Sequence, residues 1–287
     1  MGFRTVIIKK RSKLDVKLNY LVCRSDEETR VFIPEINTLI LESTAISLTS
    51  ALISELTKNG VKIIFCDEKH NPESELVSYY QNYNSSKKIK QQMCWNENIK
   101  QKIWSKIIKE KLTQQRNFLR ELELFEEADL LSVYIEEVKL NDITNREGFG
   151  AKVYFNAIFG MSFSRRKISN INRALNYGYS ILLSCFNREI TKYGYLTQLG
   201  IWHKNEYNFF NLSSDLMEPF RVLVDRVAID IDEEDLDYKF KMLCILERKV
   251  KIGGKEQLLE NAISIYCNSV FDALNKGDEQ LILFYEL

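Results

Sequence analysis

Val61-Lys62-Ile63-Ile64-Phe65-Cys66, followed by Asp67-Glu68-Lys69-His70-Asn71-Pro72-Glu73, is where the pattern of this chain changes. The first six residues are an apolar run of strand length. The Asn-Pro pair behind them is a turn signal. Only three prolines occur in the 287 residues, and Pro72 falls at this point. Upstream the chain reads as β: Phe3–Lys9, Lys17–Cys23, Arg30–Pro34 and Leu39–Leu41 are short β-prone runs. Between the last two apolar runs, Leu48, Leu52, Ile53 and Leu56 recur at helical spacing, and Gly60 follows as a stop. A second break comes at Asn84-Ser85-Ser86. From Lys87 onward the pattern is helical. Ile99, Ile103, Ile107 and Leu112 form one apolar stripe, and Ala174, Tyr177, Ile181 and Cys185 form another. The expectation is an α+β protein: a small β-rich domain over 1–72, a linker over 73–86, and a larger all-α domain over 87–287.

Composition narrows the class. Hydrophobic residues make up 45% and charged residues 28%, the profile of a folded globular protein. Lys+Arg and Asp+Glu are both 40, so no global field draws the chain to nucleic acid. Any DNA binding must come from local basic surface. Lys9-Lys10-Arg11, Lys87-Lys88-Lys90 and Arg165-Arg166-Lys167 are the candidates, although each also reads as an ordinary solvated face. Asp230–Asp237 is an acidic run. The six cysteines form no C-x-x-C pair, which suits reduced, mostly buried thiols in a cytoplasmic protein. No stretch approaches the ~18 apolar residues of a membrane span, so no membrane association is expected.

Three side chains could carry chemistry. His203, in Gly200-Ile201-Trp202-His203-Lys204, is one of only two histidines, and on spacing alone it reads first as a structural residue at a helix end. Thr144-Asn145-Arg146-Glu147 fits a capping box, so Glu147 has a local explanation as well as a catalytic one. Gly148 and Gly150 weaken the helix that follows, and would let a ligand backbone approach closely. Glu218 precedes Pro219, either inside one helix running to Val227 or as the N-cap of a new one. In the first case Asp215, Glu218, Arg221 and Asp225 share a polar face, open to a solvated reading. Two carboxylates and an imidazole suit a divalent metal, Mg²⁺ or Mn²⁺ by their hardness, with the imidazole favouring Mn²⁺.

Together these segments resemble the CRISPR-associated spacer-acquisition integrase and endonuclease family. The resemblance is carried by Thr144-Asn145-Arg146-Glu147-Gly148, by Gly200-Ile201-Trp202-His203-Lys204-Asn205 with Phe210-Asn211-Leu212, and by Asp215-Leu216-Met217-Glu218-Pro219-Phe220-Arg221 with Leu223-Val224-Asp225. Gly2-Phe3-Arg4-Thr5-Val6 and Ile64-Phe65-Cys66-Asp67 are similar to the form found in type II systems. Val222 stands where many relatives carry proline, and Lys152 where many carry arginine. The resemblance implies that Glu147, His203 and Glu218 bind the metal in a helical catalytic domain. It implies a homodimer, with the β-rich domain as the dimerisation domain, joined by a small ferredoxin-like adaptation partner on double-stranded DNA. The activity implied is insertion of short fragments into a CRISPR array by 3′-hydroxyl attack on a phosphodiester. A metal-dependent repair nuclease without integration would use the same three residues.

Overall fold

The structure is a computed structural model that describes residues 2, 4–76, 84–232, 234, 235 and 237–287. Phe3, linker positions 77–83 and Glu233 of the acidic run lie outside the described residues. The chain divides into two compact units, Met1–Gln81 and Asn82–Leu287.

Among its described residues the first unit holds eight strands and one α-helix: β1 (Arg4–Ile8), β2 (Ser12–Lys17), β3 (Tyr20–Arg24), β4 (Glu28–Phe32), β5 (Ile36–Leu41), β6 (Ile46–Leu48), α1 (Ser50–Lys58), β7 (Lys62–Cys66) and β8 (Pro72–Glu75). They build two four-stranded sheets, ordered β1-β5-β7-β8 and β4-β3-β2-β6. Lys17–Cys23, expected as one run, is a turn and parts of two strands. Leu18 and Asn19 both have positive φ (52° and 63°), which folds β2 back onto β3 with Lys17 opposite Tyr20. α1 begins as its sequence suggests, with the Thr49 hydroxyl accepting from Leu52 N, and it stops at Gly60 with φ +69°. Leu14, Leu21, Ile33, Leu39, Leu52 and Ile63 meet in the core of this unit. The turn at Asn71-Pro72 lies inside a sheet and not after it. Residues 73–75, expected as linker, pair antiparallel with β7 as an edge strand, a place where proline's missing N–H costs nothing.

The second unit is mostly helical: α2 (Ser85–Met93), α3 (Glu97–Glu121), α4 (Phe125–Glu137), α5 (Arg146–Phe159), α6 (Asn170–Lys192), α7 (Asn211–Met217), α8 (Arg221–Ala228), α9 (Tyr238–Leu243) and α10 (Leu259–Lys276). It is not all-α as expected. β9 (Lys249–Ile252) pairs antiparallel with both β10 (Lys255–Leu258) and β11 (Tyr285–Glu286). Gly253 and Gly254, at φ +57° and +77°, supply the tight turn. Both predicted apolar stripes are buried, that of α3 through Ile99, Ile103, Ile107 and Leu112. α3 and α6 are the longest helices, and the candidate site is built around α3. No helix among the described residues is long and apolar enough to cross a membrane.

Candidate active site

Trp104 and Lys111 lie seven residues apart on α3, two helical turns, so they share a face. Both are buried, at 2% and 6% exposure. The candidate residues Glu147, Glu218 and His203 gather along this face.

At the Lys111 end the Nζ ammonium donates to Glu147 Oε1, and it lies 2.5 Å from Glu218 Oε2. The local chain explains both glutamates. Glu147 sits in the first turn of α5, but not through a capping box. Asp142 is the cap: its carboxylate accepts from Arg146 N at 2.9 Å and from Glu147 N at 3.0 Å. Thr144 Oγ1 donates instead to Glu137 O. The left-handed Asn141, Asp142 and Asn145 bring that carboxylate over the helix start, leaving the Glu147 side chain free to reach α3. Gly150 also differs from its sequence reading. A Cβ there would lie 2.3 Å from Leu112 Cδ2, so the glycine serves the packing of α5 on α3.

Glu218 is neither the N-cap of a clean helix nor part of a solvated face. It begins a 3-10 turn, Glu218–Phe220, that joins α7 to α8 with Pro219 in its first turn. Phe220 anchors the turn against Phe186, Tyr266 and Tyr285, and the Tyr285 hydroxyl donates to Pro219 O. Asp215, Glu218 and Asp225 are all buried. Arg221 Nε lies 2.9 Å from Glu218 Oε1, and its guanidinium sits 4.8 Å from the Tyr179 ring centroid. Burial pushes the Glu218 carboxyl up, but Arg221 and Lys111 outweigh that and hold it below the ordinary value. Burial likewise pushes Lys111 down, and Glu218 and Glu147 reverse it, so its ammonium is held charged.

At the Trp104 end lies His203. Its ring meets Trp104 edge-on at 5.8 Å, while Trp202 stacks on Trp104 at 4.9 Å. Asp215 organises the whole loop. Its Oδ2 accepts from Ile201 N and Trp202 N, and its Oδ1 accepts from His203 N and from His203 Nδ1 at 2.6 Å. Gly200 is required here, because a Cβ would lie 2.4 Å from His203 O and 2.7 Å from Asp215 Oδ2. With Nδ1 donating to the carboxylate, the neutral ring presents its lone pair at Nε2. Burial lowers the His203 pKa, but the Asp215 bond and the charges of Asp215, Glu218 and Glu147 raise it overall. A cleft of about 600 Å³ opens beside His203, lined among others by Trp95, Lys100, Lys204, Phe209 and Asn211. The glutamate pair does not line it.

Glu147 and Glu218 thus meet at one cationic atom, and the imidazole lies within their electrostatic reach. Among the described residues, no three His, Cys, Asp or Glu side chains converge at metal-binding distance, and Lys111 contacts both carboxylates. The donor set still fits a hard divalent ion: two oxygen ligands already facing a positive charge, and an imidazole nitrogen set by a carboxylate. Glu218 Oε2 is buried, with the Lys111 ammonium 2.5 Å away. Sequence reading quoted Asp215 and Arg221 without their roles, and missed Lys111. The available signal was a lysine on the apolar stripe, four residues from Ile107 and next to Leu112.

Behind Arg221, Asp225 accepts hydrogen bonds from Tyr154 and Tyr179. Burial raises its carboxyl from 3.8 to about 6, against the pull of those bonds and of Arg221 and Lys111. The folded group therefore keeps its proton to higher pH than the unfolded one. Its contribution is most favourable below pH 4 and is lost as pH rises to about 6, ~3 kcal/mol in all. Asp225→Asn removes this slope. Urea unfolding of both proteins between pH 4 and 7 should show the variant gaining on wild type as pH rises, whereas a constant difference would contradict the assignment.

These elements define an α+β protein with a β-rich first unit and a helical unit that concentrates a Glu–His–Glu set along one helix. The family profile described as CRISPR associated protein Cas1 matches residues 5–240, and the chain belongs to that family. A relative named CRISPR-associated endonuclease Cas1, from Neisseria meningitidis serogroup C, is 32% identical over 235 residues, 82% of this chain and 77% of the relative. Among solved structures, a casposase bound to integration product superposes with a TM-score of 0.77 at 20% identity, covering 97% of this chain and 92% of that one. A Cas6-RT-Cas1–Cas2 complex gives 0.75 at 17% identity, covering 98% of this chain but only 36% of the longer one. At these identities the structural matches speak to the fold.

Proposed function

We propose that this chain is a DNA endonuclease and integrase of CRISPR spacer acquisition, dependent on Mg²⁺ or Mn²⁺ held by Glu147, His203 and Glu218. The observation that carries this reading is the meeting of Glu147 and Glu218 at one cation, on the helix face that also packs His203. The relative's name, endonuclease, and the casposase's integration product supply the chemistry. A bound metal would polarise a phosphodiester and activate a hydroxyl. The protein supplies the rest. Asp215 fixes the His203 tautomer and aims Nε2. Phe220 and Arg221 hold Glu218 in place. Arg221 offsets the Glu218 charge where an anionic phosphate must approach. In the reaction, a 3′-hydroxyl oxygen bonds to phosphorus and the target strand's own P–O3′ bond breaks. One phosphodiester replaces another, so no nucleotide cofactor is consumed. The test is a joining assay with a 3′-ended duplex and a supercoiled repeat plasmid in Mn²⁺. Covalent joining is expected, and plasmid nicking without joining would reduce the reading to a nuclease.

DNA would be held by local charge. Lys9, Lys10, Arg11, Lys87, Lys90, Arg166 and Lys167 are exposed or largely so. Arg165 is not available in this way: it donates to Asn172 and Asn176 and lies over the Tyr179 ring. Phosphate contacts release counterions, so affinity should fall steeply between 50 and 200 mM salt, by about 10³-fold if six phosphates are neutralised. Salt-independent binding in fluorescence anisotropy would contradict this.

The proposed assembly is a homodimer joined by a small ferredoxin-like partner, and a second component, Cas2, is named in the complex above. The first unit offers four sheet-edge strands, β1, β8, β4 and β6, for self-association. Light scattering should give twice the 33.7 kDa chain mass. A monomer at micromolar concentration would remove the dimer from the proposal.

A further inference from the structure

Lys111 is the most constrained cation in the site. It is a buried lysine on α3, between the apolar Ile107 and Ile108 and the buried Gln114 and Gln115, and its ammonium is engaged by Glu147 and Glu218 at once. A buried ammonium is costly unless paired, and so are two neighbouring carboxylates. Each group needs the other when nothing else is bound. Yet the ammonium takes the position between the carboxylates that a shared metal ion would take. A unit charge and a divalent ion cannot both sit there, because at such separations they repel strongly in a poorly screened interior. We infer that Lys111 is a built-in counter-ion that holds Glu147 and Glu218 together in the metal-free protein and is displaced from them when the metal binds.

Several features favour displacement over permanent pairing. Lysine is a flexible four-carbon stem bearing a point charge, and it can swing away without moving α3. Arginine would form a rigid fork with both carboxylates and resist departure. Arg221, from the other side, remains on Glu218 Oε1 and keeps that carboxylate from collapsing when the lysine leaves. Lys111 is therefore a positioning residue that sets metal affinity: it preserves the ligand geometry and competes for it.

This inference rests on the metal-site reading above, and the experiment separates the two. Mn²⁺ binding to the full chain is measured by isothermal titration calorimetry for wild type, Lys111→Gln and Lys111→Arg, with melting temperatures recorded with and without Mn²⁺. Lys111→Gln should melt lower than wild type without metal, bind Mn²⁺ at least about tenfold more tightly, and gain more from it in melting temperature. Lys111→Arg should melt near wild type and bind Mn²⁺ more weakly. If Lys111→Gln does not fold without metal, Mn²⁺ should restore folding. Wild-type binding with no gain in Lys111→Gln, or failure of Mn²⁺ to restore folding, overturns the counter-ion inference alone. No Mn²⁺ binding by any of the three proteins overturns the metal-site reading with it.

Discussion

Glu218→Gln is expected to abolish DNA joining while the helical unit stays folded, and Glu218→Ala is expected to abolish joining and destabilise the fold. The distinction follows from what surrounds the side chain. Glu218 is 5% exposed and lies against both Lys111 and Arg221. Alanine leaves the buried Lys111 with Glu147 as its one carboxylate and the partly exposed Arg221 without its own, and breaking a buried pair costs up to about 3–5 kcal/mol. Glutamine keeps the shape and an oxygen toward one cation, so its cost is smaller, but it is a neutral and far poorer ligand for a hard ion. Glu147→Ala should lose joining as completely at a smaller cost to stability, because Glu147 is partly exposed and the cap of α5 belongs to Asp142. Chemical denaturation beside the joining assay checks both halves. An alanine variant that joins DNA at the wild-type rate is not missing a required ligand.

How much of this was legible in the sequence depends on the range of the interaction. Periodicity is local, so α1, the buried stripes of α3 and α6, and most strands of the first unit could be read directly. The misses are where a turn or a distant contact decides. Leu18-Asn19 carries no glycine, so the hairpin it makes left no turn signature. Gly253-Gly254, between the alternating Val250 and Ile252 and Lys255–Leu258, did carry one, and the helical pattern around it masked the sheet. Pro72 was read as the end of a domain because proline interrupts strands, but an edge strand tolerates it. At the site, Thr144–Glu147 matched a capping box in spacing, yet three left-handed residues brought Asp142 to that role. Backbone handedness of this kind cannot be read from residue types alone. The polar face Asp215–Glu218–Arg221–Asp225 was read on one continuous helix, but a 3-10 turn at Glu218–Phe220 breaks it, and helical spacing does not say which side of a helix meets solvent. Tertiary packing turned that face inward. The resemblance placed Glu147, His203 and Glu218 as a set. That Lys111 stands among them depends on α3 crossing both α5 and the 3-10 turn, a relation between distant segments.

Asp215→Asn is expected to weaken metal binding by about 10–100-fold, the usual cost of losing the group that orients a ligand imidazole. Here the loss has a specific origin. The carboxylate accepts from three backbone N–H groups and from the imidazole, all donors. An asparagine has one oxygen for them and turns an NH₂ toward the others, so donors would face donors. The loop from Gly200 to His203 then loses what folds it against α7, and His203 loses what fixes Nε2. The same change removes the hydrogen bond and the largest of the charges that raise the His203 pKa against its burial, so that pKa falls. The sign matters for activity. A ligand imidazole must be neutral, so wild-type activity should decline on the acid side as His203 protonates, beginning at a pH above the ordinary histidine value of 6.5. In Asp215→Asn the maximum rate should drop while the acid limb moves to lower pH. A role for Asp215 in fold stability alone would lower the rate and leave the limb in place. Joining rates for both proteins from pH 5.5 to 8.5, at Mn²⁺ concentrations below saturation for each, where proton and metal compete for the imidazole, separate the two. An unmoved acid limb would mean that His203 does not take part through its neutral ring, and the metal site would then have to be assigned without it.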